Sequence, residues 1–148
     1  MSRYPKWWCD TITVYNRYED PQTQLITWYR TVIENAFWGG KGTWLRANDM
    51  VIDTDTVLCR IRKDSRYLSE ADWVQLPNDQ MSNHYTLFNG DIIVQGEVED
   101  EIDEYTAGHR SNDVIEKYKK TGRCFLIDQV ADNTGYGRGI PHYRISGK

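Results

Sequence analysis

Val57, Cys59 and Ile61 alternate with Leu58, Arg60 and Arg62, and this strict period of two is the tightest constraint the chain carries. Successive side chains of an extended strand point to opposite faces, whereas a helix would scatter these residues around its axis. The segment is therefore a half-buried strand with a basic outer side. Asp10 to Asn16 alternates in the same way, with Ile12 and Val14 on one side and Thr11, Thr13 and Tyr15 on the other. Glu19-Asp20-Pro21-Gln22 follows as a turn, its proline pre-set for the corner.

Leu25 to Trp38 satisfies two patterns. Leu25, Trp28, Tyr29, Val32, Ile33, Ala36 and Phe37 make a helical stripe, yet the stretch is rich in Thr, Trp, Tyr, Val and Ile. The β-formers decide for a strand, bent or broken near Arg30 to Val32. Gly39-Gly40-Lys41-Gly42 is expected to be a flexible loop. Ser69-Glu70-Ala71-Asp72 carries an N-cap and first-turn acids, so one short helical turn is expected, ended by Leu76-Pro77-Asn78-Asp79. Asn89-Gly90-Asp91 is a tight turn feeding a strand from Ile92 to Val98. Ser111 to Lys120 is the best helix. Ser111 or Asn112 would cap it, Lys117, Lys119 and Lys120 suit its carbonyl end, and Gly122 stops it. Phe125 to Val130 and Tyr143 to Ile145 are closing strands. These elements predict a single mainly β domain over residues 1–148, a small antiparallel β-barrel or sandwich with long loops and one short α-helix in its C-terminal half.

The 148 residues suffice for a core, and 39% hydrophobic with 27% charged residues is a globular balance. Six Trp and ten Tyr give the chain an excess of rings with a polar edge, which suit sheets and interfaces. Cys9, Cys59 and Cys124 are isolated, with no C-x-x-C pair; Cys59 and Cys124 sit in apolar runs, so buried free thiols are expected there, in a reducing compartment. Met1 to Trp8 lacks the apolar core of a signal peptide, no stretch approaches membrane-spanning length, and assembly in the cytosol is expected. Charge is segregated. Residues 1–46 hold six Lys+Arg against four Asp+Glu, net +2; residues 47–108 hold four against fourteen, net −10; residues 109–148 hold eight against four, net +4. An acidic middle between basic ends disfavours wrapping of DNA and suits a subunit whose one face meets the opposite face of a neighbour.

Motifs for chemistry are weak. The acids Glu97, Glu99, Glu101 and Asp103 would share one face of a strand, but neither an EF-hand spacing nor a Gly-turned loop accompanies them, and a solvated or partner-facing edge is expected. Asp53 and Asp55 form a D-x-D too short to specify a metal site. His84, His109 and His142 belong to no H-x-x-x-H or H-E-x-x-H pattern, and no G-x-S-x-G elbow exists. Gly135-Tyr136-Gly137-Arg138-Gly139 lacks the spacing of a dinucleotide loop, and Lys41 lacks the Ser or Thr of a phosphate loop. No catalytic, cofactor or metal constellation is read, so an enzyme is not expected. Trp7, Trp8, Trp38 and Trp44 flank strand ends and loops, where about half of them would be buried in the core and the others would fill an interface or stack on bases or sugars. With the four acids and Arg138 they are the candidate interface or channel residues.

The order of parts carries a resemblance. Thr11-Ile12-Thr13-Val14-Tyr15, a Pro-turn, and Ile26-Thr27-Trp28-Tyr29 leading to Asn35-Ala36-Phe37-Trp38 come first. Val57-Leu58-Cys59-Arg60-Ile61-Arg62 follows, then Asn89-Gly90-Asp91-Ile92-Ile93-Val94-Gln95-Gly96 before a last strand near Cys124 to Val130. This pattern resembles the head-closure proteins, stopper or head–tail adaptor, of long-tailed bacteriophages, and neck or minor capsid proteins of phages infecting Firmicutes. The first long loop and the segment Glu97 to Gly122 exceed what the compact family barrel needs. The resemblance implies a cyclic ring, twelve-fold or six-fold, below the portal. Such a subunit would contact portal or adaptor and tail proteins, touch genomic double-stranded DNA transiently, and reside in the virion neck after assembly in the host cytoplasm. Glu97 to Glu104 would then form an acidic channel wall that repels DNA phosphates. Two other expectations stand beside it: a nucleic-acid- or carbohydrate-binding β module using Trp38, Trp44 and the Gly-rich arm, and a metal-dependent hydrolase using Asp53, Asp55 and the acidic run.

Overall fold

Strand β1 (Asp10–Glu19) pairs antiparallel with β2 (Ile26–Lys41) across a turn that Asp20 organises. Its carboxylate accepts the backbone N–H of Gln22 at 2.8 Å and of Thr23 at 3.2 Å. The structure is a computed structural model describing residues 4–41, 46–47, 50–51, 56–135 and 140–148. Asp53, Asp55, Trp44 and Arg138 lie outside the described residues. Further elements are β3 (Arg46–Ala47), β4 (Met50–Val51), β5 (Val57–Arg62), α1 (Glu70–Trp73), β6 (Ile92–Gln95), α2 (Ser111–Lys119), β7 (Cys124–Asp132) and β8 (His142–Gly147). β3 and β4 pair with each other.

Six strands close on themselves in the order β1-β2-β5-β8-β7-β6, every pairing antiparallel, so the sheet is a barrel. Period-two alternation fills it. Ile12, Val14, Ile33, Val57, Cys59, Ile61, Ile93, Phe125, Tyr143 and Ile145 point inward and pack as one cluster. The outer faces of β1 and β6 are buried as well. There Tyr15, Ile92 and Val94 pack with Cys124, with Val98 and Ile102 of the following loop, and with Val114 and Tyr118 of α2. The long excursion between β6 and β7 is thus a lid on the barrel's outer wall rather than a free loop.

The stretch Leu25–Trp38 is strand from Ile26 onward, but its irregularity lies at Asn35 and not near Arg30 to Val32. Asp10 pairs with Ala36 while Ile12 pairs with Ile33, so one extra residue is inserted in β2. Asn35 absorbs it in the left-handed region, φ 57, which a short polar side chain tolerates. The bulge lets β2 leave β1 and pair with β5 from Phe37 onward. Gly39 to Lys41 belong to β2 and are not a loop. A second register shift falls at Gly39, where a Cβ would stand 3.2 Å from the Leu58 carbonyl oxygen.

Two ends also differ from expectation. β6 stops at Gln95, not Val98, because Gly96 turns with φ 89 and donates its N–H to the Thr11 carbonyl at 2.6 Å. The N-cap of α2 is Arg110, not Ser111 or Asn112; the Asp113 carboxylate reaches back to the Arg110 N–H at 3.1 Å, and Glu104 accepts from Ser111 N–H. The helix ends at Lys119, and Gly122, φ 71, turns the chain into β7. The Ser69 cap of α1 forms as expected.

Candidate interaction surfaces

The N-terminal arm supplies two neighbouring tryptophans with different fates. Trp8 is 3% exposed, between Tyr4, Phe37 and the His142 ring, and its carbonyl accepts from Arg62 Nη2 at 3.1 Å. Trp7 is 59% exposed and rests edge-on against Phe37, centroids 5.1 Å apart. Trp38 points inward, tilted against Phe125 at 5.5 Å. Trp8 is packed inside the molecule and Trp38 is half-buried, whereas Trp7 stays exposed. The inward parity of position 38 is set by the Asn35 bulge and by the pairing of Trp38 with inward-facing Cys59, and local sequence does not reveal it.

The acidic run is an extended loop and not a paired strand, yet the alternation survives. Val98 and Ile102 turn into the second cluster while Glu97, Glu99, Glu101 and Asp103 are exposed. Backbone ties hold this shape. Thr13 Oγ1 donates to the Gly96 carbonyl at 2.8 Å and accepts from Val98 N–H at 3.1 Å, while Arg30 Nε donates to the Val98 carbonyl at 2.6 Å. Asp100 anchors the loop to α2, accepting from Lys117 Nζ at 2.9 Å and Tyr118 OH at 2.7 Å. The Lys117 hydrogen bond leads the effects that hold its carboxyl below the usual range. Asp103 is held low by the Tyr105 N–H and the Thr106 hydroxyl. No cation lies within ion-pair reach of Glu97, Glu99 or Glu101 among the described residues.

A basic row lies across the other side of the barrel. Phe37 pairs with Arg60 on β5, Arg60 with Arg144 on β8, and Arg144 with Ala131 on β7, all four side chains directed outward. Like charges directly opposite each other in a sheet repel. Burial, followed by the Arg144 charge, pushes the Arg60 guanidinium below its usual range. Arg60 covers the Phe37 ring at 5.6 Å, and among the described residues neither Arg60 nor Arg144 has a carboxylate partner. The alternation of β5 announced Arg60 as outward; its meeting with Arg144 needs the strand order, and sequence reasoning missed it.

The barrel order fixes the relation between these surfaces. The acidic loop covers the outside of β6 and β1, and the arginines sit on β5 and β8, three places away around a ring of six. Opposite charges occupy opposite walls.

Two shallow clefts lie on the surface. One, about 410 Å³, is lined by Glu99, Asp100, Glu101, Asp103, Thr106 and His109. The other, about 420 Å³, includes Arg17, Tyr18, Glu70, Val74, Phe88 and Asp91. Asp91 is a buried carboxylate that the sequence marked only as part of a turn. Burial pushes its pKa up to about 6. His84 and His142 direct Nδ1 at backbone carbonyls of Arg66 and Ile140, which are structural contacts. Among the described residues no three His, Cys, Asp or Glu side chains converge as a metal ion would require, and no helix is long and apolar enough to cross a membrane.

A family model covers residues 9–148, nearly the whole chain and all six barrel strands. The chain belongs to DUF6751. That is a family of unknown function, and its model begins one residue before β1 and runs through β8. No curated protein and no solved structure matches the chain. The surfaces of this DUF6751 member therefore have to be interpreted from their own chemistry.

Proposed function

We infer that the chain is a structural protein of a tailed-phage virion, one subunit of the neck ring that joins the portal to the tail around the DNA exit channel. The observation that carries this is closure of the sheet. A closed barrel has no free strand edge, so it associates through side-chain faces and excursions rather than by strand addition. Here one wall carries a packed acidic excursion and the opposite wall an arginine pair with no carboxylate partner among the described residues, the two-sided character that a head-to-tail ring needs. Exposed Trp7, resting on half-buried Phe37 beside Arg60, adds an apolar element of the kind that anchors subunit contacts. The site of action is then the virion neck, reached from the host cytoplasm.

The test is negative-stain imaging of the purified protein mixed with portal rings. Added density at the portal exit is expected, and bare portal rings at saturating protein would overturn the assignment.

A further inference from the structure

We propose that the ring contact is made between the arginine row of one copy and the acidic loop of the next: Arg60 and Arg144 dock against Glu97, Glu99 and Glu101 of a second copy of this chain. The proposal rests on the ring reading above and specifies its interface. Three observations on different parts of the molecule lead to it.

First, Arg60 and Arg144 are held opposite each other by the β5–β8 register, and the repulsion between them has no carboxylate to offset it within the described chain. An anionic surface placed over the pair removes that repulsion, so the free subunit is poised for an acidic partner. Second, Glu97, Glu99 and Glu101 are exposed on a loop whose other side is pinned. Val98 and Ile102 are buried, and the backbone is tied to Thr13 and Arg30. A rigid row of acids spends less ordering entropy on docking than a free loop would. Third, the two surfaces lie on opposite walls of the barrel, so within one copy Glu97, Glu99 and Glu101 do not reach Arg60 and Arg144. The contact is heterologous, and such contacts generate rings when the rotation closes. Trp7 and Phe37 border the arginines and form the dry part of the same face. In this arrangement the acids stand between subunits, and the channel wall is left to other loops.

Charge swapping tests the contact. Self-association of the wild type, followed by sedimentation velocity and native mass spectrometry, is expected at about 0.01 M salt and to fall at about 1 M. The R60E/R144E variant and the E97K/E99K/E101K variant are each expected to associate roughly tenfold or more weakly, two opposed ion pairs having become two repulsive ones. An equimolar mixture of the two is expected to recover assembly, because each altered face then meets a complementary one. That recovery also shows that both variants are folded. Wild-type-like rings from R60E/R144E alone would overturn the contact while leaving the ring intact. A wild type that stays monomeric at all salt concentrations would overturn the contact, and portal imaging would then decide the ring separately.

Discussion

Asn16 on β1 donates its side-chain N–H to the Asp91 carboxylate at 2.8 Å, and both residues are buried. The same amide donates to the Thr86 carbonyl at 2.6 Å and accepts from Thr86 N–H at 3.3 Å. Asp91 also accepts the backbone N–H groups of Arg17 and Phe88, both at 3.1 Å. This bracket fastens the loop before β6 to β1 at one end of the barrel. Buried polar groups persist only when so paired, and removing one partner leaves the others without water or protein to replace it.

Asn16→Ala is expected to destabilise the fold by about 2–3 kcal/mol, since Thr86 and Asp91 would each lose a buried bond. Urea unfolding monitored by tryptophan fluorescence measures it. A change within a few tenths of a kcal/mol would mean that water replaces the amide.

Asp91 sets a pH dependence. Its pKa in the folded chain, raised by burial to about 6, exceeds the usual value of an unfolded aspartate. The folded state therefore binds the proton more tightly. The stability contributed is fully present below about pH 4 and is lost as pH rises through about 6, on the order of 3 kcal/mol in total. Asp100 and Asp132, held low first of all by hydrogen bonds from Lys117 and Thr134, act with the opposite sign and at lower pH. In Asp91→Asn the decline between pH 4 and 7 should vanish. Parallel thermal-stability profiles for the two proteins would contradict this.

Gly147 closes the barrel. A Cβ there would fall 1.8 Å from the Leu126 carbonyl oxygen and 2.8 Å from the Phe125 ring, at the point where the β7–β8 register shifts. Backbone cannot yield as a flexible side chain does, so Gly147→Ala is expected to cost about 3 kcal/mol or more. Calorimetry of the variant beside the wild type decides it, and an unchanged melting temperature would refute the steric account.

The three cysteines should react unequally. Cys9 is exposed, whereas Cys59 and Cys124 are buried. Burial raises both buried thiols, Cys124 to about 11, which starves them of reactive thiolate. Ellman's reagent should titrate one thiol in the native protein and three in denaturant. Rapid reaction of more than one native thiol would show that the barrel opens readily.

The sequence by itself determined the strands and their inward faces. Val57, Cys59 and Ile61, like Ile12 and Val14, face the interior because a period of two leaves an extended chain no other way to bury them. Helix α2 and its stop at Gly122 were legible for the same local reason, through charge order and a backbone angle that suits glycine. Tertiary structure alone decided which strands are neighbours. That choice depends on bulges at Asn35 and Gly39 and on closure of β6 against β1, long-range events whose energy is spread over many contacts. From it followed the burial of Trp8 and the inward packing of Trp38, the pairing of Arg60 with Arg144 across strands far apart in the chain, and the placing of Glu97, Glu99 and Glu101 on the far wall. Local pattern fixes which way a side chain points; only the closed sheet fixes what stands opposite it.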